Sequence, residues 1–179
     1  MLELRATSLA DTHAVAACVA ELARPGDLIV LSGEMGAGKT AFAKGFGAAL
    51  GVVEPITSPT FTLVHTYAVG AGQGRGVKTL HHGDLYRLDR TAEIADLALD
   101  ELADDEAVVL VEWGDVAEAL FGDHLVVHLE PDVLSDDDDV DVDPDALADT
   151  GRLIEISANG PTWASRWSRL TAACERFAC

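Results

Sequence analysis

Three observations predict an α/β fold built on a mostly parallel sheet. Continuous apolar runs recur along the chain at Leu28–Leu31, Ala107–Val111 and Leu125–Leu129. Runs of that kind suit strands buried on both faces. Helix-compatible segments separate them, as the crossovers between parallel strands require. Between the first strand and the next helix stands Gly33-Glu34-Met35-Gly36-Ala37-Gly38-Lys39-Thr40. This stretch fits the phosphate-binding pattern GxxxxGK[ST] at every required position and in the strand–loop–helix context the pattern demands.

The predicted architecture is therefore a three-layer sandwich like that of phosphate-loop NTPases, with a mostly parallel central sheet and a β-hairpin. Asp11 or Thr12 caps a first helix that runs to about Leu22. Pro25-Gly26-Asp27 turns the chain into the strand before the loop. The helix after the loop begins near Gly38 and runs to about Leu50, where Gly51 can close it. Ser58-Pro59-Thr60 breaks the chain. Thr60 to Ala68 alternates and is rich in Thr, Val, Phe and Tyr, which predicts a strand. Gly70 to Gly76 is a loop with four glycines, and Val77 to His81 returns as the hairpin's second strand. Thr91 to Leu102 has the spacing of a helix, with Ile94, Leu97 and Leu102 on neighbouring faces. Strands at Leu125–Leu129 and Leu153–Ile156 flank an acidic stretch, and a helix closes the chain over Pro161–Phe177. Its Trp163, Trp167 and Leu170 fall at helical spacing and read as packing groups against the sheet.

A chain of 179 residues can bury a real core, and we read residues 1–179 as one domain. No apolar run is long enough to span a bilayer, since Ala14–Leu22 is short and broken by Glu21. No export signal is read at the N-terminus. Cys18, Cys174 and Cys179 lack CxxC spacing, which fits reduced thiols and a cytoplasmic protein without membrane contact. The net charge is −19. Glu130 to Asp149 holds ten acids and no base; without them 21 acids face 12 bases and −9 remains. A solvated, disordered acidic loop is predicted at about 132–149. It lacks the glycine and terminal glutamate of an EF-hand. Such a charge repels nucleic acid at long range, so any contact with tRNA or DNA would need a local basic patch or a partner subunit.

The chemistry centres on the glycine-rich loop. Its glycines let successive N–H groups face phosphate oxygens, and the helix behind it adds its positive end. Glu34, Met35, Gly36, Ala37, Gly38, Lys39, Thr40 and Ala41 form the expected nucleotide-binding set. Lys39 would reach the β- and γ-phosphates, and the Thr40 hydroxyl would bind Mg2+. Glu112 ends the apolar strand Val108–Val111, where parallel-sheet sites form. A carboxylate there can hold magnesium or polarise the attacking water. Asp84, after Leu80-His81-His82-Gly83, is a second candidate at a strand end. Adjacent His81 and His82 would point to opposite faces of a strand, and each reads equally well as structural. Ser58 and Thr60 offer hydroxyls where a γ-phosphate-sensing switch loop would sit, although an ST-type turn around Pro59 explains them as well.

Four motifs in order resemble the TsaE family, formerly called YjeE. They are Pro25-Gly26-Asp27 before the strand, Gly36-Ala37-Gly38-Lys39-Thr40, Thr57-Ser58-Pro59-Thr60-Phe61-Thr62-Leu63-Val64, and the pair Asp84-Leu85-Tyr86-Arg87-Leu88 with Leu110-Val111-Glu112-Trp113. The resemblance covers roughly Thr7 to Leu129. It implies ATP and Mg2+ binding, weak intrinsic hydrolysis and partnership with TsaD and TsaB, with tRNA engaged through that complex. TsaD transfers the threonylcarbamoyl group to an adenosine beside the anticodon, and TsaE uses ATP to keep that machinery turning over. By motif, Lys39, Asp84 and Glu112 take the catalytic roles and Thr40 and Glu112 the magnesium side. Trp113 is implied near the nucleotide, and Leu9 to Thr12 near the adenine. One departure is Gly83, where the family usually carries an apolar residue; a glycine there loosens the strand that positions Asp84.

Two other readings stand beside this one. A small-molecule kinase would use Arg87 and Arg90 on a transferred phosphate, but no arginine-rich lid is visible in the sequence. A nucleotide-dependent binding module would need no turnover. A GTPase is disfavoured because no NKxD base-reading motif occurs.

Overall fold

The computed structural model describes residues 1–59, 62–72, 74–86, 97–104, 106–113, 121–132 and 151–179. In chain order these form β1 (Leu2–Ala6), α1 (Leu9–Ala20), β2 (Leu28–Ser32), α2 (Lys39–Leu50), β3 (Val64–Ala68) and β4 (Thr79–Asp84). Then come α3 (Leu99–Asp104), β5 (Ala107–Glu112), β6 (His124–Pro131), β7 (Arg152–Asn159) and α4 (Trp167–Ala173). Among the described residues, seven strands make one sheet in the order β1-β7-β6-β2-β5-β4-β3. Its centre is parallel: β2 pairs in parallel with both β6 and β5, and β5 with β4. The edges are antiparallel, and the predicted hairpin is β3–β4.

The parallel strands are the continuous apolar runs. All five residues of β2 and all six of β5 are buried. Side chains alternate between two faces. Ile29, Leu31, Val108 and Leu110 join one core with Phe42 and Phe46 of α2 and Val15 and Val19 of α1. Leu28, Val30, Val109 and Val111 join another with Leu85, Leu99 and Ala103. Two cores on opposite faces of one sheet are the predicted three layers.

Local chemistry sets the element ends, and several differ from the sequence reading. The cap of α1 is Ser8, not Asp11 or Thr12. Its hydroxyl accepts from Asp11 N at 3.1 Å and donates to Asp11 Oδ2 at 3.0 Å. Asp11 Oδ2 also takes the Thr7 N–H and hydroxyl. This is a variant of the capping box, with aspartate in the glutamate position reaching the N–H of the residue before the cap, and the hydroxyl bonds from Thr7 and Ser8 hold Asp11 below its usual carboxylate range. Strand β1 was not anticipated, being a five-residue edge segment. The closing helix is broken into a 3-10 turn at Ala164–Arg166, α4, and a second turn at Glu175–Phe177. The hairpin's first strand starts only at Val64, after Leu63 takes a φ of 64°. Residues 91–96 of the predicted Thr91–Leu102 helix and residues 133–149 of the predicted acidic loop lie outside the described residues.

Two close approaches explain glycines. Helix α2 contacts α1 so tightly that a Cβ on Gly45 would stand 2.6 Å from His13 Cα. A Cβ on Gly33 would meet the Leu129 carbonyl oxygen at 2.1 Å. Beneath the sheet, Arg166 forms a buried bidentate pair with Asp27, its Nη2 lying 2.7 Å from Asp27 Oδ1. Arg166 also donates to the Leu22 carbonyl at 2.8 Å and lies over the Trp163 ring. The pair ties the C-terminal segment to the turn that launches β2. Cysteines 18 and 174 meet between α1 and the C-terminal helix; a hydrogen bond with the Cys174 thiol lowers the Cys18 thiol to about 7. All three cysteines are free thiols.

Gly83 needs no glycine-specific space. A Cβ there would find its nearest neighbours, Leu63 O and Val111 Cγ2, at 3.6 Å, ordinary contact distances. Gly83 is paired on both sides, with Val64 and Val111, so the strand is not open at that point. Gly83→Ala is expected to stabilise the fold by roughly 0.5–1 kcal/mol, because glycine loses the most backbone freedom on folding. Urea unfolding checks this; a lower midpoint for Gly83→Ala would show that β4 depends on the missing side chain.

Candidate functional site

The sheet brings the candidate acids level. In the parallel register, Leu31 of β2 pairs with Glu112 of β5, and Glu112 pairs with Asp84 of β4. Alternation puts Leu80, His82 and Asp84 on one face of β4, and Val108, Leu110 and Glu112 on one face of β5. That is the face covered by α2. Asp84 and Glu112 are therefore carried to the ends of buried strands beside the start of α2, and both are buried.

The loop between β2 and α2 is curled by three left-handed glycines, Gly33, Gly36 and Gly38. Only residues without Cβ take such φ values freely. Lys39 begins α2, and its Nζ donates to the Gly33 carbonyl at 2.6 Å and the Glu34 carbonyl at 2.8 Å. The same amine lies 3.6 Å from the centre of the Trp113 ring, a cation–π contact. Trp113 is placed there by a φ of 60° and by its N–H, which donates to the Leu31 carbonyl at 2.9 Å. Tyr86 tilts against the Trp113 ring at 5.1 Å.

Glu112 is the hub of the polar network. The Thr40 hydroxyl donates to its two carboxylate oxygens at 2.9 and 3.0 Å. His82 Nε2 lies 2.9 Å from Glu112 Oε1, and the His82 side chain is fully buried. A carboxylate acceptor assigns the proton to Nε2. His82 Nδ1 has no hydrogen-bond partner among the described residues. Asp84 accepts from the Ser58 hydroxyl at 2.7 Å and the Tyr86 N–H at 3.0 Å. Together these groups border a cleft of about 350 Å3, with Met35, Gly36, Gly38, Lys39, Thr40 and Ala41 on one side and Ser58, Asp84, Tyr86, Glu112 and Trp113 on the other. That volume lies in the range of small-molecule sites.

Of the residues singled out from the sequence, the cleft gathers Met35, Gly36, Gly38, Lys39, Thr40, Ala41, Ser58, Asp84, Glu112 and Trp113. Glu34 and Ala37 belong to the same loop, where Glu34 contributes its carbonyl to Lys39 and Ala37 is buried. Leu9 and Thr12 sit in the first turn of α1, away from the cleft lining. Leu9 is exposed, and the buried Thr12 hydroxyl donates to the Ser8 carbonyl. Thr60 lies outside the described residues. His81 turns to the other face, where its Nδ1 lies 3.0 Å from the Thr66 hydroxyl; burial pushes its titration down.

Two contributors escaped the sequence reading in these roles. His82 supports Glu112, and the two-residue spacing of His82 from Asp84 was the available signal. Arg152, the first residue of β7, is drawn inward and donates from Nε to the Ala37 carbonyl at 2.7 Å. Burial lowers its titration. No local pattern announces a strand-initial arginine that reaches a loop 115 residues earlier.

The donor set suits magnesium held mainly by a ligand's phosphates. Among the described residues no group of three or more His, Cys, Asp and Glu side chains could hold a metal. Magnesium at phosphate sites typically takes only one or two carboxylates besides phosphate oxygens and water. The Thr40 hydroxyl and Glu112 carboxylate, already in contact beside the loop, meet that requirement.

The sequence model of the TsaE family, described as threonylcarbamoyl adenosine biosynthesis protein TsaE, matches residues 6–138. The chain belongs to the TsaE family. It is 41% identical over 117 residues to the tRNA threonylcarbamoyladenosine biosynthesis protein TsaE of Bacillus subtilis, covering 65% of this chain and 69% of that protein. TsaE of Streptomyces coelicolor is 37% identical over 150 residues, covering 82% and 90% respectively. The crystal structure of Bacillus subtilis YdiB aligns with a TM-score of 0.68 at 30% identity, over 98% of this chain and 94% of that one. This likeness takes in the C-terminal third, beyond the Thr7–Leu129 resemblance of the motifs. No helix among the described residues is long and apolar enough to cross a membrane.

The His82 contact predicts a stability effect separable from any activity. His82→Ala removes a buried partner of Glu112 and leaves a cavity. Leaving a buried acceptor short of its partner costs about 1–3 kcal/mol, more where it is charged, so denaturant titration should show at least that loss. An unchanged unfolding midpoint would show that Glu112 does not depend on His82.

Proposed function

We propose that this TsaE-family chain works in tRNA threonylcarbamoyladenosine biosynthesis as a magnesium-dependent ATPase of weak intrinsic activity, acting with TsaD and TsaB. The observation that carries the proposal is the contact between the Thr40 hydroxyl and Glu112 beside a loop of left-handed glycines. A hydroxyl and a carboxylate meeting at the start of the helix that follows a phosphate loop match the parts that hold a metal-bound nucleotide.

In this reading the loop N–H groups and the N-terminus of α2 cradle the phosphates. Lys39 exchanges its carbonyl contacts for phosphate oxygens. Thr40 and Glu112 hold the magnesium side, and His82 fixes the orientation of Glu112. Magnesium supplies charge neutralisation at the transferred phosphoryl group. Asp84, at the far side of the cleft, orients the attacking water. Ser58 couples Asp84 to the segment that follows α2, where a γ-phosphate can be sensed. Trp113 closes the cleft over the Lys39 amine. The names of the relatives support the pathway, and tRNA reaches this strongly acidic chain through its partners. The proposed location is the cytoplasm.

Lys39→Ala should abolish ATP hydrolysis and weaken ATP binding measured by calorimetry. Glu112→Ala and Asp84→Ala should lower the rate about a hundredfold or more while leaving most of the binding, because each acts through metal or water. Wild-type rates in both carboxylate variants would remove the cleft from the chemistry. Binding should also change the fluorescence of Trp113, and Trp113→Phe should silence that change.

The partner assignment has its own test. ATPase rates are expected to rise markedly with TsaD and TsaB together and not with tRNA alone. Stimulation by tRNA alone, with none from the proteins, would overturn the assignment. Ser58→Ala should blunt the stimulation while keeping ATP binding.

A further inference from the structure

At the opposite end of the sheet from the phosphate loop, a second pocket of about 380 Å3 opens beside the turn that precedes β2. It is lined by Arg24, Arg75, Arg166 and Arg169, together with Leu22, Ala23 and Pro25. Four of the chain's 12 bases therefore converge on one pocket, and no acid among the described residues lines it. The four come from three separate parts of the chain: the turn after α1, the β3–β4 loop and the C-terminal helical segment.

The cluster is built. Arg166 forms its floor, almost fully buried and neutralised by Asp27. The Asp27 carboxylate also accepts the Arg24 N–H at 2.8 Å, which fixes the backbone from which the Arg24 side chain extends. Arg75 is carried on a loop with a φ of 48°, and the neighbouring Gly76 faces Pro25. Arg24, Arg75 and Arg169 are exposed and make no ion pair among the described residues, whereas Lys78 on the same loop pairs with Glu106. Three guanidinium groups thus border one pocket with no carboxylate pairing them among the described residues.

We propose that this pocket is a second anion site, which binds the phosphate group of a small phosphorylated molecule. Guanidinium forks grip phosphate oxygens in bidentate fashion. Three positive charges without an ion-pair partner among the described residues match a di- or trianion better than a single carboxylate. The net charge of −19 repels a long polyanion, whereas a compact ligand feels mainly the pocket. The proposal is independent of the chemistry at Lys39.

The test is an NMR titration of the full chain with inorganic pyrophosphate, following arginine Nε–H and tryptophan indole N–H signals. Trp163, stacked on Arg166, reports the pocket; Trp113 reports the phosphate loop. Saturable shifts at Trp163 and at Arg24, Arg75 and Arg169 are expected. Arg169→Gln should weaken the Trp163 response at least tenfold and leave the Trp113 response intact. Lys44→Gln, an equal charge loss at an exposed position of α2, should change neither. Shifts confined to Trp113, or an equal loss in Lys44→Gln, would overturn the site. Equal affinity for citrate would overturn its assignment to phosphate.

Discussion

One row of the sheet governs the rest of the site: Leu31, Glu112 and Asp84 stand level across β2, β5 and β4. Parallel pairing makes this possible, because all three strands run the same way and end on the same side. A shift of one residue in β5 would turn Glu112 away from α2 and bring Val111 in its place, since side chains alternate. The register is held by burial on both faces. Ile29, Leu31, Val108 and Leu110 face one core, and Leu28, Val30, Val109 and Val111 the other. A slip would exchange the two sets and strand Glu112 among apolar groups. The apolar strands thus set the reach of the carboxylates more firmly than any local hydrogen bond does.

Both ends of β2 are fixed from the C-terminal part of the chain. Below it, Arg166 clamps Asp27, and the neighbouring Gly26 N–H reaches the Ala103 and Ala107 carbonyls at 3.0 Å each. Above it, Arg152 holds the Ala37 carbonyl inside the loop. Each arginine is buried and comes from beyond residue 150. A buried charge is tolerated when paired and hydrogen-bonded, and each here stabilises a turn rather than a strand. The last 28 residues therefore do more than cover the sheet. They determine the conformation of the turns between which β2 is stretched.

Much of this was legible in the sequence because it depends on short-range pattern. The phosphate loop, its helix and the Gly51 close carry their own signals in glycine placement, and the buried strands announce themselves as apolar runs. Glu112 and Asp84 were readable because they end such runs. What escaped depends on distant partners. Ser8 and Thr12 are both good caps by residue type; the choice of Ser8 follows from Asp11 sitting three residues later and closing the box. His82 and His81 look alike in sequence, and only the β5 register gives one of them a carboxylate. The C-terminal helix reads as continuous, yet Arg166 must turn into the Asp27 pair, and the chain tightens to a 3-10 turn there. The glycine at position 83 suggested a loose strand, but pairing on both sides with ordinary contact distances removes that expectation.

The same logic fixes the two strand ends that flank the acidic stretch of the sequence. The stretch joins β6, which ends at Pro131, to β7, which begins at Arg152. Those two residues are paired directly across the strands. Arg152 also pairs with Ala6 of β1 and reaches Ala37, so the start of β7 is held from three sides. Glu130 to Asp149 carries ten acids and no base. Salt screens such charges beyond about 8 Å at physiological strength. Arg152 and Lys39 lie inside that distance of the loop backbone, at hydrogen-bond contact. Both cations thus act on the loop at contact range, while the net charge of −19 governs how the whole molecule meets other polyanions.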